Sequence, residues 1–96
     1  MGEGRVVHCK REPYDVLIDR RSEFGNPHKM RSESERAEVI QLFEATARKR
    51  IAVDFWWADK VKGLHGKTLG CWCAPKPCHG DVLLKLAAEL QRKSHE

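Results

Sequence analysis

Three cysteines, a histidine and an aspartate fall within the segment GCWCAPKPCHGD, Gly70 to Asp81. Side chains of these types support three chemistries. Cys71, Cys73, Cys78 and His79 supply the donors of a tetrahedral zinc site. Their spacing is not the common pair of Cys-x-x-Cys knuckles, and adjacent residues such as Cys78 and His79 diverge by about 100° on a helix. Cys9, His8 or His28 is therefore an alternative fourth donor. Three protein ligands plus a water would make the centre catalytic rather than structural. The second chemistry is nucleophilic. Cys78 at a helix N-terminus would have its thiolate favoured by the helix dipole, with His79 or Lys76 to assist and Asp81 to orient His79. The third is packing, since free cysteines are among the most buried residues and Cys71 and Cys73 could simply fill space. Catalytic candidates are thus Cys78, His79 and Asp81, and the spacing alone leaves all three readings open.

The positions of these residues depend on the elements around them. RVVHC, residues 5–9, and DVLID, residues 15–19, read as short strands. The short proline-containing segment between them predicts a turn and antiparallel pairing, because a parallel crossover needs a dozen or more residues. A loop follows, in which Gly25-Asn26-Pro27 marks a turn: glycine tolerates positive φ, and the residue before proline is pushed away from helix. Ser32 and Glu35 have capping-box spacing. The helix after them, over 33–51, carries Val39, Ile40, Phe43, Ala47 and Ile51 at helical spacing, with Leu42 widening the apolar face. Asp54 is placed to cap a second helix that presents Phe55, Val61 and one tryptophan inward. A third strand over 67–73 puts Cys71 and Cys73 on one face and Trp72 on the other, in the core. Pro75 and Pro77 stiffen the turn into a last helix over 78–92, apolar at Val82, Leu83, Leu86, Ala87 and Leu90. The order β-β-α-α-β-α predicts an α/β or α+β fold: one domain, residues 1–96, with a small three-stranded mixed sheet covered by two to three helices.

Ligands of open α/β sheets gather at the carboxyl ends of the strands. If the third strand runs parallel to the second, Arg20 and Arg21 leave the sheet at the same edge as Cys73. The Gly25–Asn26 turn would then complete a composite, positively charged pocket, making Arg20, Arg21, Gly25 and Asn26 the candidate ligand-binding residues. Backbone N–H groups at Cys78 to Asp81 could hold a phosphate, unless Asp81 takes those donors as a cap.

Composition narrows the partners. The chain has 96 residues, 33% charged and 41% hydrophobic, with a net charge of +4, which suits a soluble protein with a small core and an anionic partner. No apolar run approaches the ~18 residues of a membrane span. The N-terminus lacks the apolar core of a signal peptide and the Ser or Thr of a myristoylation signal, so the expected compartment is the cytoplasm. Clustered cysteines there point to metal or catalysis rather than disulfides. Trp56 and Trp57 cannot both face inward on one helix; one is core, and the other is a candidate contact for bases, beside Lys60 and Lys62, or for a protein partner.

The blocks YDVLIDRRSEFGNPHK and GKTLGCWCAPKPCHGDVLLKLA together resemble the family catalogued as domain of unknown function 4326, small proteins of bacteria and their phages. The resemblance covers nearly the whole chain. It runs through Ile18, Arg20, Phe24, Gly25, Asn26 and Pro27, and through Gly70, Cys71, Trp72, Cys73, Pro75, Cys78, His79, Gly80 and Asp81. The chain departs from the family pattern at Asp19, where glycine is expected, and at His28; Cys9 matches no part of it. The resemblance implies a phage or mobile-element origin, hence the host cytoplasm, and implies no activity. The expected function is therefore an accessory protein that binds a nucleotide or nucleic acid around a Cys/His cluster, with zinc as the expected cofactor. Two alternatives remain: an enzyme acting on a nucleotide or base through Cys78 or a zinc-bound water, and a module that blocks a host protein.

Overall fold

A computed structural model describes residues 4–28, 30–74 and 76–94; Pro75, Lys29 and His95 lie outside the described residues. Strands β1 (Arg5–His8), β2 (Val16–Leu17) and β3 (Thr68–Cys71) form one sheet in the order β1-β3-β2. Helices α1 (Arg36–Val53), α2 (Phe55–Lys62) and α3 (His79–Ser94) complete the α/β fold in the expected element order.

Both outer strands run parallel to β3, Val6 pairing with Leu69 on one side and Val16 with the same residue on the other. The expected antiparallel β1–β2 pair, and with it the mixed sheet, is therefore corrected. Its premise was that consecutive strands pair directly. Here β3 inserts between them, and segment 9–15 only returns along the short strands, a span of roughly 23 Å when extended. β3 is bonded on both edges: Asp15 N–H donates to Thr68 O at 2.8 Å and Ile18 N–H to Gly70 O at 2.9 Å on one side, Cys9 N–H to Cys71 O at 2.9 Å on the other. A strand buried on both faces loses the polar alternation of a half-exposed one, and Leu69, Gly70 and Cys71 are all buried.

β3 ends at Cys71 rather than Cys73, so the alternation that sent Trp72 into the core stops one residue earlier. Trp72 is 50% exposed. α1 is preceded by a short 3-10 turn, Glu33–Glu35, and Ser32 makes no side-chain cap bond; Glu35 instead accepts the Arg31 N–H at 2.8 Å. α1 buries Phe43 and Ala47, while Leu42 is exposed. Asp54 does cap α2, its carboxylate accepting the Trp57 N–H at 3.0 Å. Trp57 and Val61, four apart, face inward. Phe55 and Trp56 are exposed, correcting the inward Phe55: two residues from Trp57, it points about 200° away on the helix.

α3 lies between the sheet and the other two helices, in contact with β1, α1 and α2. It buries Val82, Leu83, Leu86 and Ala87, as its apolar periodicity predicts, and also Leu84 and Ala88 on its flanks. Burying a side chain such as Leu83 stabilises the fold by about 2 kcal/mol. Gly80 sets how closely α3 can approach: a Cβ there would lie 2.7 Å from Ile18 Cδ1 and 2.8 Å from Val6 Cγ2. The buried side chains form one cluster around Ile18, Val61, Leu69 and Leu83. No helix among the described residues is long and apolar enough to cross a membrane.

Candidate functional site

Because β2 and β3 are parallel, their carboxyl ends share an edge of the sheet, and a cavity of about 540 Å³ opens there. Asp19, Arg20 and Arg21 come from the end of β2. Asn26, His28 and Met30 come from the loop, Arg36, Val39 and Ile40 from α1. Cys71, Trp72 and Cys73 follow from β3, and Cys78 and His79 from the start of α3. Arg20, Arg21 and Asn26 thus line one cavity with Cys73, and Gly25 does not.

The loop is fastened to α2. Trp57 Nε1–H donates to Glu23 O at 3.1 Å, Lys60 pairs with Glu23 at 3.1 Å, and the Phe24 and Trp57 rings lie 6.3 Å apart. Asn26 Oδ1 accepts the His28 N–H at 2.9 Å, closing the turn. Gly25 has no positive φ; its need is steric. A Cβ there would stand 2.5 Å from Asp19 O and 2.7 Å from Arg20 Cα. Gly25 therefore shapes the wall of the cavity rather than lining it.

The thiols of Cys71, Cys73 and Cys78 lie within 4.8 Å of one another, a group able to hold a metal ion. Cys71 and Cys78 Sγ are 3.1 Å apart. Each of these two sulfurs also accepts a backbone N–H from two residues on: Cys73 N–H to Cys71 at 3.4 Å and Gly80 N–H to Cys78 at 3.1 Å. Donors aimed at sulfur favour the thiolate. The hydrogen bond from Cys78, then the backbone N–H groups of Cys73 and Ala74, hold the Cys71 thiol down at about 6, against the opposing effect of burial. Cys78, on the other side of that bond and deeply buried, is pushed up. The pair thus gives up its first proton readily and its second with difficulty.

His79 stands apart from the three-thiol group. Its Nε2 lies 2.8 Å from the Ile18 carbonyl, to which it must donate, and its ring meets Phe43 edge-on at 5.0 Å. Burial pushes its pKa below the usual histidine range, so it is a neutral imidazole with Nδ1 unprotonated, 3.8 Å from Cys78 Sγ. Asp81 does not orient it. The Asp81 carboxylate accepts the Cys78 N–H at 3.2 Å, the Cys78 sulfur takes the Gly80 N–H and the Cys78 carbonyl the Asp81 N–H, so three of the four proposed phosphate donors at this helix start are already used. Lys76 pairs with Glu33 at 3.2 Å rather than assisting a thiol. Nor do the alternative fourth donors join the group: His8 Nδ1 accepts the Lys10 N–H at 3.1 Å, His28 Nε2 is 3.0 Å from Thr46 Oγ1, and Cys9 is half-buried outside it.

The charges are unequal. Asp19 binds Arg21 through two nitrogens, at 2.7 and 3.0 Å, and accepts Trp72 Nε1–H at 3.3 Å; the Arg21 bond holds the Asp19 carboxyl below its ordinary range. Arg36 binds Glu33 at 2.8 Å and Pro77 O at 3.0 Å; the Glu33 bond first, then the neighbouring Cys73 thiol, raises its pKa. Arg20 is exposed and has no ion pair among the described residues. Arg36, Trp72 and Asp19 are the site residues that sequence reasoning did not place here. An arginine in the first turn of a helix opposes the dipole, which was the available signal for Arg36.

Fold and site together define a small parallel α/β protein with an arginine-bearing, thiol-lined pocket at the carboxyl edge of its sheet. Residues 5–89 match the family described as Domain of unknown function (DUF4326), and the chain belongs to that family. It is 34% identical over 86 residues to an uncharacterized 12.4 kDa protein in the nrdA-td intergenic region of Enterobacteria phage T4, a match spanning 90% of this chain and 79% of that protein. No solved structure matches the chain significantly.

Proposed function

We propose that the protein is a phage-type accessory protein that binds a phosphate-bearing, nucleotide-type ligand in this cavity, over a zinc ion held by Cys71, Cys73 and Cys78. The observation that carries the reading is the single cavity shared by the arginines of the β2 end and the three thiols. The donor set fits zinc. Zn–S bonds of about 2.3 Å in a tetrahedral arrangement put sulfurs roughly 3.8 Å apart, and the thiols are already gathered to within 4.8 Å with backbone donors on two of them. Bound there, zinc would supply a fixed positive charge and a Lewis-acidic coordination position. The chain's own residues do the rest: Arg20 attracts the anion, Arg36 stands beside Cys73, and the Asp19–Arg21 pair walls the cavity.

Elemental analysis of protein purified without chelator or added metal tests the zinc centre, beside thiol counting with and without denaturant. One zinc per chain is expected, with Cys9 reacting first and the three cluster thiols only on unfolding. A metal-free chain whose four cysteines all titrate freely would overturn it. Calorimetry with pyrophosphate at low salt tests the anion site, Arg20→Ala being expected to weaken binding about tenfold; no binding by the wild type would overturn that half.

A second reading, an enzyme acting on a nucleotide, is favoured by the ligand count. The three thiols gathered within 4.8 Å leave a fourth coordination position, as catalytic zinc sites do when water takes it; the centre becomes structural instead if His79 Nδ1, 3.8 Å from Cys78 Sγ, takes it. Cys78→Ala distinguishes the readings: a folded variant that has lost a measurable turnover of the wild type favours the enzyme, and an unfolded one favours the structural centre.

A further inference from the structure

We propose that the indole of Trp72 is the stacking platform for the base of a free mononucleotide, with Arg20 the cation that meets its phosphate. This rests on the reading of the cavity as an anion pocket and names the ligand class that pocket takes.

Trp72 lines the cavity with half of its surface exposed, although burying an indole is among the largest apolar gains a small core can make. It is nevertheless held in place. Its N–H is bound to Asp19 Oδ2 at 3.3 Å, His8 meets it edge-on at 5.7 Å, and Lys10 Nζ stands 5.5 Å from the ring centroid. An exposed aromatic ring fixed by polar neighbours is a preorganised surface: little rotamer entropy remains to be lost when a flat ligand ring settles on it. Val39 and Ile40 line the same cavity and offer apolar contact to a heteroaromatic ring.

The charges select the rest of the ligand. Asp19 neutralises Arg21 and at the same time holds the indole, so one carboxylate couples the base platform to the charged rim. Arg36 is engaged by Glu33 and Pro77 O. Arg20 is left as the cavity's arginine without an ion pair among the described residues, which suits one phosphate group rather than a polyanion. The volume agrees: about 540 Å³ falls within the range of pockets that enclose one small ligand.

The test is calorimetric titration of the full chain, as purified with its metal, using AMP, UMP, ribose 5-phosphate, thymidine monophosphate and an octamer of deoxythymidine. AMP is expected to bind about tenfold tighter than ribose 5-phosphate, stacking being the difference. Trp72→Leu should bring AMP to within about twofold of ribose 5-phosphate and leave ribose 5-phosphate itself unchanged, while Trp72→Phe keeps most of the preference. If AMP and ribose 5-phosphate bind equally to the wild type, or Trp72→Leu binds AMP as the wild type does, the stacking proposal is overturned and the anion pocket stands. An octamer binding more than about tenfold tighter than thymidine monophosphate overturns the free mononucleotide in favour of a strand. If none of the five compounds binds, both the proposal and the pocket reading fail.

Discussion

Trp72 and Trp56 are both exposed, at 50% and 82%, but their surroundings differ. Around Trp72, at the carboxyl edge of the sheet, a carboxylate, a histidine edge and a lysine hold the ring, and the neighbouring thiols accept backbone N–H groups. Around Trp56, at the α1–α2 corner, Val53 and Phe55 are equally exposed. There a shallower cavity is bordered by Phe55, Trp56 and Leu90 with Lys62 and Lys93. The Trp56 side chain makes no hydrogen bond or ring contact among the described residues. Polar groups at the sheet edge are spent on positioning, which adds little to stability and is what a site needs. The corner is apolar surface that folding has left unfastened. Substitutions at the sheet edge should therefore reach binding, and those of the exposed corner side chains Val53, Phe55 and Trp56 should leave both binding and stability unchanged in the isolated chain.

Metal removal gives the largest expected contrast. A chelator that strips the proposed zinc from Cys71, Cys73 and Cys78 would remove a ligand of the folded state. At a thousandfold excess over its dissociation constant such a ligand contributes about 4 kcal/mol, which in a domain of this size is a drop in melting temperature of roughly 15 °C or more. Trp56→Ser should stay within about 0.5 kcal/mol of wild type. Differential scanning calorimetry with and without chelator reads both, and a chelator-insensitive midpoint would make the two ends of the molecule energetically alike.

Next in size is the pair Gly25→Ala and Gly63→Ala. The new Cβ at Gly25 meets backbone, Asp19 O and Arg20 Cα, which cannot swing aside. A cost of about 2 kcal/mol is expected, together with weaker pyrophosphate binding as the loop lifts from the β2 end. At Gly63, which follows α2 with φ −66°, the nearest atom to a Cβ is 3.4 Å away. Alanine there should be neutral or stabilise by about 0.5 kcal/mol. Equal denaturant midpoints for the two variants would show that the loop is not pressed on the strand end.

Smaller again is the charge contrast. Arg20→Ala should leave the melting temperature unchanged and weaken pyrophosphate binding, with a shallower dependence on salt. Lys62→Ala beside Trp56 should alter neither. Comparable losses from the two variants would mean that the protein's overall positive charge, rather than the pocket, attracts the anion.

These contrasts follow lines that were only partly visible in the sequence. The helices were legible because Phe43, Ala47, Val61, Leu83, Leu86 and Ala87 carry helical periodicity, and Asp54 advertised its cap. The cysteine cluster and its meeting with Arg20 were legible too, because one parallel pair of strands sufficed to bring them to one edge. The strand order was not. A four-residue strand such as β1 has too few positions to record its partner, and the short link to β2 suggested a hairpin. Trp72 misled because alternation was extended past Cys71, where the chain has already turned to offer the Cys73 N–H to sulfur. His79 looked like a ligand by type. Only the fold shows that its Nε2 is committed to Ile18, sixty-one residues away in sequence, which leaves Nδ1, on the Cys78 side, as its available donor atom.

The smallest effect expected distinguishes the two regions by pH. Glu33 clamps Arg36 at 2.8 Å and Lys76 at 3.2 Å, tying the start of α1 to the cysteine turn beside the cavity. Those two bonds, Arg36 first, lower its carboxyl from an ordinary 4.5 to about 2. A carboxyl whose folded pKa is depressed adds stability that is fully present above the unfolded value and is lost as pH falls through the folded one. The clamp should therefore weaken between about pH 4.5 and pH 2, and by little, since the carboxylate is open to solvent and screened. At the corner, Asp54 is lowered as well, chiefly by the Trp57 N–H it caps, so acid loosens both ends and the wild-type curve alone cannot separate them. Glu33→Gln should flatten only its own share of the acid arm and loosen Arg36, which can then reach into the cavity and bind pyrophosphate more tightly. Asp54→Asn should keep pyrophosphate binding unchanged while altering the same arm. Acid-unfolding curves for the two variants that differ from wild type identically, with no change in pyrophosphate affinity in either, would show that the Glu33 clamp belongs to ordinary surface electrostatics and not to the site.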